Sequence, residues 1–220
     1  AIFHTSCDTE TILQLIAHQP GVVQLEALET ALSKIQGAYS LAVLFDNCLI
    51  AARDPWGFRP LVIGQKDDTV YVASESCALD ILGAEMIRDV EPGEILVIDN
   101  RGIISRKMAH RPQRRCHCSF EYVYFARPDS MIDGRSVYRA RKELGAKLAK
   151  QDTPDNAVVT GMPDSGTIAA LGLAEKAKMP FESGVVRNRY VGRTFIQPTQ
   201  RVRDAGVKIK LNPQPEIFKD

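Results

Sequence analysis

The N-terminal part of the chain has the apolar spacing of two helices. In residues 8–18 apolar positions recur with the helical period: Ile12, Leu13, Leu15 and Ile16. Ser6 or Asp8 precedes this stripe as a candidate N-cap. A second helix is predicted over residues 22–35, and Gly37 is expected to end it, because glycine readily adopts the left-handed turn at a helix C-terminus.

From residue 38 the pattern changes to short runs with strand character. Six strands are predicted, over residues 38–45, 48–52, 61–63, 70–73, 95–98 and 103–105. Turn-forming pairs such as Asp46-Asn47 and Pro92-Gly93 separate them, and a short helix is predicted over residues 77–82. The expected arrangement is a meander of antiparallel strands.

Beyond residue 115 predicted strands and helices alternate. Strands are expected over residues 122–126, 157–161 and 184–186, and helices over residues 137–150 and 167–176. Such alternation builds a parallel sheet with flanking helices. Residues 101–115 carry six Lys or Arg, no acid and Pro112, which predicts an exposed connector. The fold class is therefore α+β followed by α/β, with the boundary at residue 110.

Composition removes several classes of protein. With 220 residues, 45% of them hydrophobic, the chain can fill the core of one large or two modest domains. The 28 Lys and Arg nearly balance the 27 Asp and Glu, so no global field favours nucleic acid or an anionic membrane. No apolar run could span a bilayer and no signal-peptide pattern is present, which predicts a soluble, cytoplasmic protein. The five irregularly spaced cysteines indicate reduced thiols.

The loop over residues 160–167 is the first candidate site, because it joins a predicted strand to a helix. Open α/β sheets bind ligands at the carboxyl ends of their strands, and the free N–H groups of a helix start attract phosphate. The candidate residues are Pro163, Asp164, Ser165, Gly166 and Thr167. The alternative is that Ser165 or Thr167 only caps the helix, and the loop alone leaves both interpretations open.

A cationic segment follows the strand predicted over residues 184–186. Residues 187–210 contain seven Lys or Arg and one acid, Asp204. Arginine forks match phosphate oxygens in two-point contacts, so the segment is a candidate to fold over a phosphorylated ligand. Its candidate residues are Arg187, Arg189, Tyr190, Arg193 and Thr194. The alternatives are a nucleic-acid strip and a solvated face, and composition favours the solvated face.

Three further sites have structural interpretations. Asp54 and Arg59 flank a turn that contains Pro55 and Gly57, which predicts a tight, ion-paired structural loop. Asp8 is either a helix cap or a carboxylate that holds the ammonium group of an amino acid. The run at residues 116–118, Cys-His-Cys, supplies too few ligands for a zinc site.

Two long segments resemble signature segments of the amidophosphoribosyltransferase family. They are CSFEYVYFARPDS at residues 118–130 and NRYVGRTFIQP at residues 188–198. Shorter matching pieces follow in the family's order at residues 6–10, 37–40, 53–60, 73–76, 91–94 and 162–165. The resemblance therefore covers essentially the whole chain.

The resemblance implies a two-domain glycosyltransferase. Residues 1–110 would be the C-terminal part of a class II glutamine amidotransferase domain, an αββα sandwich of the N-terminal-nucleophile type. Residues 111–220 would be the N-terminal part of a phosphoribosyltransferase domain with a parallel sheet. The implied reaction converts phosphoribosyl pyrophosphate, glutamine and water to 5-phosphoribosylamine, glutamate and pyrophosphate, the first step of de novo purine synthesis. Magnesium and a homo-oligomeric full-length enzyme are also implied, without nucleic-acid or membrane partners.

The family's functional residues carry over to matching positions. Asp8 resembles the aspartate that binds the glutamine α-amino group. Residues 163–166 resemble the pyrophosphate loop, with Ser165 near magnesium, and residues 187–210 resemble the flexible loop that closes over substrate. Cys118 stands where some members place one ligand of a [4Fe-4S] cluster, which normally needs four thiolates.

The departures from the family imply an internal fragment that is inactive alone. Residue 1 is Ala, with no Cys-Gly start, so no catalytic nucleophile is assigned, and the family's Asp-Asp strand is not in the sequence. Another glutamine amidotransferase related to asparagine synthetase is an alternative, because it shares the Arg-Asp loop at Arg53. The segment from Cys118 onward argues against it. A non-catalytic phosphate- or nucleic-acid-binding module is the remaining alternative.

Overall fold

A computed structural model describes residues 3–108, 114–151, 154 and 156–218 of the chain. The chain divides into two units, the first of which runs to Ser119 and also takes in Met131–Gly134. The second comprises Phe120–Ser130 and the chain from Arg135 onward. The predicted boundary at residue 110 and Pro112 both lie outside the described residues.

Helices and antiparallel strands make up the first unit. Its helices are α1 (Glu10–Ala17), α2 (Gln24–Lys34) and α3 (Ser76–Leu82). Its strands are β1 (Ser40–Phe45), β2 (Cys48–Arg53), β3 (Val62–Lys66), β4 (Thr69–Ala73), β5 (Glu85–Asp89), β6 (Glu94–Asp99), β7 (Gly102–Lys107) and the short β8 (Met131–Ile132). Two antiparallel sheets result, with strand orders β1-β2-β6-β7 and β4-β3-β5.

The antiparallel pairing predicted for this half is confirmed, but the strand order is not a simple meander. Strand β2 pairs with β6 instead of the next strand in sequence, and the predictions omitted β5. Gly37 does not end α2, because the helix stops at Lys34 and Ile35 is already extended. The strand predicted over residues 103–105 is confirmed as the exposed edge strand β7, which takes up part of the predicted connector.

Alternating side chains of β2 place its sheet between two apolar cores. Ile50 and Ala52 are fully buried in a cluster with Leu28 and Leu32 of α2. Ala51, on the opposite face, is buried with Ile63 of the second sheet and with other residues. A third cluster joins the other face of the second sheet to α3 through Val62 and Leu79. Because successive strand residues face opposite sides, these clusters define helix, sheet, sheet and helix layers.

Helices dominate the second unit. It contains a single π-helical turn (Glu121–Phe125), the short strand β9 (Arg135–Ser136), α4 (Val137–Leu148), α5 (Ser165–Ala177), β10 (Val185–Arg187), α6 (Gln200–Lys210) and β11 (Leu211–Pro213). Neither α6 nor β11 was predicted. None of the helices in the described part of the chain combines the length and apolar character that a membrane span requires.

The strand predicted over residues 122–126 is wrong, because this segment forms the π-helical turn. The buried side chain of Arg141, in α4, donates to the carbonyls of Tyr122 and Ala126, at 2.8 and 2.7 Å. These carbonyls are therefore satisfied by a guanidinium group instead of a neighbouring strand. Such a long-range partner leaves no periodic signal in the local sequence.

The predicted parallel sheet is not seen in the described residues. There, parallel pairing is limited to one bridge between Val159 and Phe181. The last predicted strand exists as β10, but it pairs antiparallel with β11, with Arg187 opposite Leu211. The physical reason is that the chain returns through α6 and supplies a local antiparallel partner for β10.

Candidate functional site

The loop that precedes α5 begins the candidate site in the second unit. The helix starts at Ser165, and Asp164 occupies its N-cap position without a side-chain capping bond. The Pro163–Asp164 peptide bond is cis. The N–H of Gly166 donates to the Met162 carbonyl at 3.0 Å. Ser165 and Thr167 lie inside the first turn, so the interpretation of either as the N-cap residue is wrong.

Small residues bring this loop close to its neighbours within the second unit. A Cβ atom on Gly161 would lie 2.6 Å from the Thr167 Cα, so only glycine lets the chain pass the first turn of α5 so closely. The Thr160 hydroxyl accepts a hydrogen bond from the Gly184 N–H at 2.9 Å. The loop therefore lies next to the segment that leads into β10.

Arg187, at the end of β10, reaches this loop and forms an ion pair with Asp164 through its Nη1. The Arg187 side chain is 32% exposed and that of Asp164 is 71% exposed. The Nε of Arg187 is buried and has no hydrogen-bond partner among the described residues. The first residue of the cationic segment and the predicted phosphate loop are thus in contact.

The other residues predicted for the cationic segment lie away from that contact. Tyr190 is fully exposed, and Arg189 and Arg193 are also exposed. Thr194 packs near Gly206 of α6, since a Cβ atom there would lie 3.0 Å from the Thr194 Cγ2. The structure therefore brings only Arg187 of this group directly to the loop.

Asp8 lies exposed just before α1 and does not cap it, because Thr9 is the N-cap residue and makes no side-chain capping bond. Glu10 was not predicted as important, although it organises this segment. Its carboxylate accepts from the N–H groups of His4 and Thr5, at 2.7 and 2.8 Å, and from the Thr5 hydroxyl. The hydrogen bond from His4, followed by that from the Thr5 hydroxyl, lowers the pKa of Glu10.

The predicted structural loop at residues 53–60 exists, and an ion pair between Arg53 and Asp133 helps to hold it. Arg53 is 1% exposed and binds Asp133 through two hydrogen bonds, both 2.9 Å long. The Asp54 carboxylate accepts hydrogen bonds from the N–H groups of Trp56 and Gly57, both at 2.9 Å. The Arg59 carbonyl accepts a hydrogen bond from the Arg53 Nε at 2.8 Å.

Further groups of the first unit surround Asp133. His117 lies 2.7 Å from its carboxylate, and the N–H of Asp133 donates to the Asp89 carboxylate at 3.0 Å. Burial alone would raise the pKa of Asp133, but the hydrogen bond and charge of Arg53 outweigh it and hold that pKa below its usual range. Burial raises the pKa of Asp89. The arrangement serves to join distant segments of the first unit.

The metal assignments at Ser165 and Cys118 gain no metal-binding group from their surroundings. Among the residues that the structure describes, no three His, Cys, Asp or Glu side chains are grouped to hold an ion. Cys118 instead uses its backbone N–H, which donates to the Phe58 carbonyl at 3.1 Å. His117 of the same run contacts Asp133.

Sequence comparison connects this structure to known proteins. A family model described as a glutamine amidotransferase domain matches residues 1–80. Amidophosphoribosyltransferase of Methanocaldococcus jannaschii is 45% identical over 99% of this chain and 50% of its own length. Amidophosphoribosyltransferase of Bacillus subtilis is 46% identical over 96% of this chain and 44% of its own length. The chain thus spans about half the length of these curated relatives.

Structural comparison gives the same result. Glutamine phosphoribosylpyrophosphate amidotransferase from B. subtilis, solved in complex with ADP and GMP, superposes with a TM-score of 0.90 and 45% identity. The match covers 100% of this chain and 48% of that chain. Together, the similarities in sequence and structure show that the chain belongs to the amidophosphoribosyltransferase family.

Proposed function

We propose that the full-length gene product containing this chain makes 5-phosphoribosylamine, glutamate and pyrophosphate from phosphoribosyl pyrophosphate, glutamine and water. This is the first step of de novo purine synthesis. The observation that carries the proposal is the 45% identity to an amidophosphoribosyltransferase along 99% of the chain. The protein would act in the cytoplasm as a homo-oligomer, with no role in nucleic-acid binding.

The two units take the two halves of this reaction. The helix, sheet, sheet and helix layers of the first unit support its assignment as part of a class II glutaminase domain of the N-terminal-nucleophile type. The family model over residues 1–80 supports the same assignment. The second unit is proposed to be part of the phosphoribosyltransferase domain.

The diphosphate is proposed to bind at the start of α5. A helix of 13 residues directs free N–H groups and the positive end of its dipole at this point. The hydroxyls of Ser165 and Thr167 add donors, and Arg187 adds a cation within the same unit. The exposed residues Arg189 and Arg193 belong to a loop that would fold over bound substrate with Tyr190 and Thr194 and exclude water.

The described residues do not form a magnesium site by themselves. Ser165 offers one hydroxyl oxygen, and the Asp164 carboxylate is already bound by Arg187. Magnesium usually keeps several waters and binds through substrate phosphates, so the ion would be held mainly by the diphosphate, whose charge it balances. For an iron-sulfur cluster, Cys118 would supply one of the four thiolates that such a cluster needs, and the other three would come from the remainder of the full-length protein.

In the glutaminase half, Asp8 is proposed to hold the α-ammonium group of glutamine. An exposed carboxylate can accept charge-assisted hydrogen bonds from an ammonium group. Glu10 fixes the segment that leads to Asp8 through its bonds to His4 and Thr5. This arrangement would set the position of the carboxylate before glutamine arrives.

Pyrophosphate release by the full-length gene product tests the proposed reaction. With phosphoribosyl pyrophosphate and magnesium present, glutamine should support release, and ammonium chloride should replace glutamine. Nitrogen-dependent release isolates the transferase half, because ammonium bypasses glutamine hydrolysis. Absence of release with both nitrogen sources would overturn the proposal.

Arg193→Ala tests the proposed closing loop. In the full-length protein we expect the KM for phosphoribosyl pyrophosphate to rise at least about 10-fold, since a hydrogen bond to a charged group contributes about 1.5–3 kcal/mol. Basal glutamine hydrolysis should change little. Arg106→Ala is the matched control, because Arg106 is an exposed arginine of the first unit that pairs with Glu29 at 3.3 Å. Equal KM values for phosphoribosyl pyrophosphate in the two variants would show that Arg193 does not contribute to the substrate site.

A further inference from the structure

The proposed diphosphate site has two positive features, the Arg187 guanidinium and the N-terminus of α5. The Asp164 carboxylate lies next to both of them. Asp164 is the residue immediately before α5, where a carboxylate is favoured by the helix dipole. The same carboxylate binds the guanidinium of Arg187. An incoming diphosphate would therefore meet a cation and a helix end that already have an anionic partner.

Arg187 does not need Asp164 to stay in place. Its backbone lies in β10 and is paired with Leu211 of β11. Its Nε is buried, whereas the side chain of Asp164 is 71% exposed. Because Arg187 is held by its strand, the carboxylate can turn into solvent while the guanidinium remains near the loop.

The unpaired Nε indicates that the present partner leaves the guanidinium incompletely bonded. This buried donor has no hydrogen-bond partner among the described residues. A guanidinium group makes its strongest contacts through two parallel N–H donors to one anion. A phosphate group has three oxygens with which to engage the fork, so it can offer contacts that the Asp164 carboxylate does not make here.

We propose that Asp164 is an internal competitor of the diphosphate, which must displace the Asp164 carboxylate from Arg187 to bind. This inference rests on the proposed function and adds a residue that weakens substrate capture in the same site. Asp164 would act through Arg187 and would not itself contact the reacting atoms. Its removal should strengthen the binding of diphosphate.

Calorimetric titration of the full-length protein with inorganic pyrophosphate, without divalent metal, tests the inference. Asp164→Asn should lower the dissociation constant about fivefold, which corresponds to the upper range measured for exposed ion pairs. Arg187→Gln should raise it. In the double variant the gain in affinity from Asp164→Asn should largely disappear, because the Arg187 guanidinium, for which Asp164 and pyrophosphate compete, is absent.

Two comparisons separate this mechanism from a general change of charge. Asp129→Asn removes the same charge from the exposed Arg127–Asp129 pair of the second unit and should leave pyrophosphate binding unchanged. An equal gain from Asp164→Asn with and without Arg187 would overturn the competition, since the effect would then be long-range electrostatics.

The remaining outcomes distinguish the inference from the proposed function. If the wild-type protein binds pyrophosphate and makes product, but Asp164→Asn binds equally or more weakly, only the inference falls. If the wild-type protein neither binds pyrophosphate nor releases it from phosphoribosyl pyrophosphate, the proposed function falls and the inference falls with it.

Discussion

Gly145→Ala should disrupt the packing of α4 against α5. A Cβ atom at Gly145 would lie 1.7 Å from the Ala169 carbonyl oxygen and 2.6 Å from its carbonyl carbon. Gly172 makes the reciprocal contact, since its Cβ atom would lie 2.0 Å from the Lys142 carbonyl oxygen. Both obstacles are helix backbone, which cannot move aside as a flexible side chain can. The helices must therefore separate.

We expect this separation to cost at least about 3 kcal/mol, the upper range for overpacking in a well-packed interior. Hydrogen–deuterium exchange of the 220-residue chain is the suitable measurement, because it follows α4 and α5 apart from the first unit. Amides of both helices should exchange faster in Gly145→Ala and in Gly172→Ala, while those of β2 and β6 keep their protection.

Gly166→Ala is the matched control in α5. Its nearest neighbour would be the Met162 Cβ at 3.6 Å, an ordinary contact, so the added methyl group fits. Alanine is favoured over glycine in a helix by about 1 kcal/mol, and protection of α5 should therefore stay equal or rise. If Gly145→Ala behaved like this control, the close helix crossing would be wrong.

The helices and hairpins of the first unit could be predicted because their signals are local. The apolar stripe that includes Ile12 and Ile16 gives α1, and the two-residue turn at Asp46-Asn47 joins β1 to β2. Strand order depends on side chains far apart in sequence, and it was predicted less well. Nothing near β2 signals that β6 is its neighbour.

The same limit applies to the candidate site. The candidate phosphate loop and Arg187 could be selected from the sequence because glycines, a helix start and a cationic run are visible there. The contact between Asp164 and Arg187 spans 23 positions and could not be predicted by periodicity. The turn was predicted to be ion-paired through Asp54 and Arg59, but no local pattern indicated the partner of Arg53, Asp133, which is 80 positions away.

Asp133→Asn should destabilise the first unit strongly. The side chains of Arg53 and Asp133 are 1% and 6% exposed, so the variant would leave a buried guanidinium without its counter-charge. Removing one partner of a buried ion pair typically costs about 3–5 kcal/mol. Arg53 keeps its bonds to the carbonyls of Arg59 and Val90, which places the expected loss near the lower value, about 3 kcal/mol.

Urea unfolding of the 220-residue chain, followed by tryptophan fluorescence, measures this loss. Trp56 is the single tryptophan of the chain and lies in the loop held by Asp54, so the signal reports on the first unit. Glu29→Gln is the control, because its pair with Arg106 also lies in the first unit, is partly exposed and should contribute at most about 1 kcal/mol. Equal midpoints for the two variants would show that the buried pair does not hold this unit together.

The effect of Asp133→Asn should also depend on pH. In the folded chain the pKa of Asp133 lies below its ordinary value, since Arg53 outweighs the effect of burial. The stability that this carboxylate contributes is therefore present above its unfolded pKa, about 4, and is lost as pH falls through the lower folded pKa.

The pH dependence that Asp89 contributes has the opposite sign, because burial raises its pKa and its protonation favours the folded state at low pH. Burial, the largest cause of the raised Asp89 pKa, is the same in wild type and in Asp133→Asn. The difference in stability between the two proteins should therefore follow Asp133, so it should be largest near pH 7 and should shrink towards pH 3. A difference that stayed constant over this range would mean that the ionised form of Asp133 does not stabilise the fold.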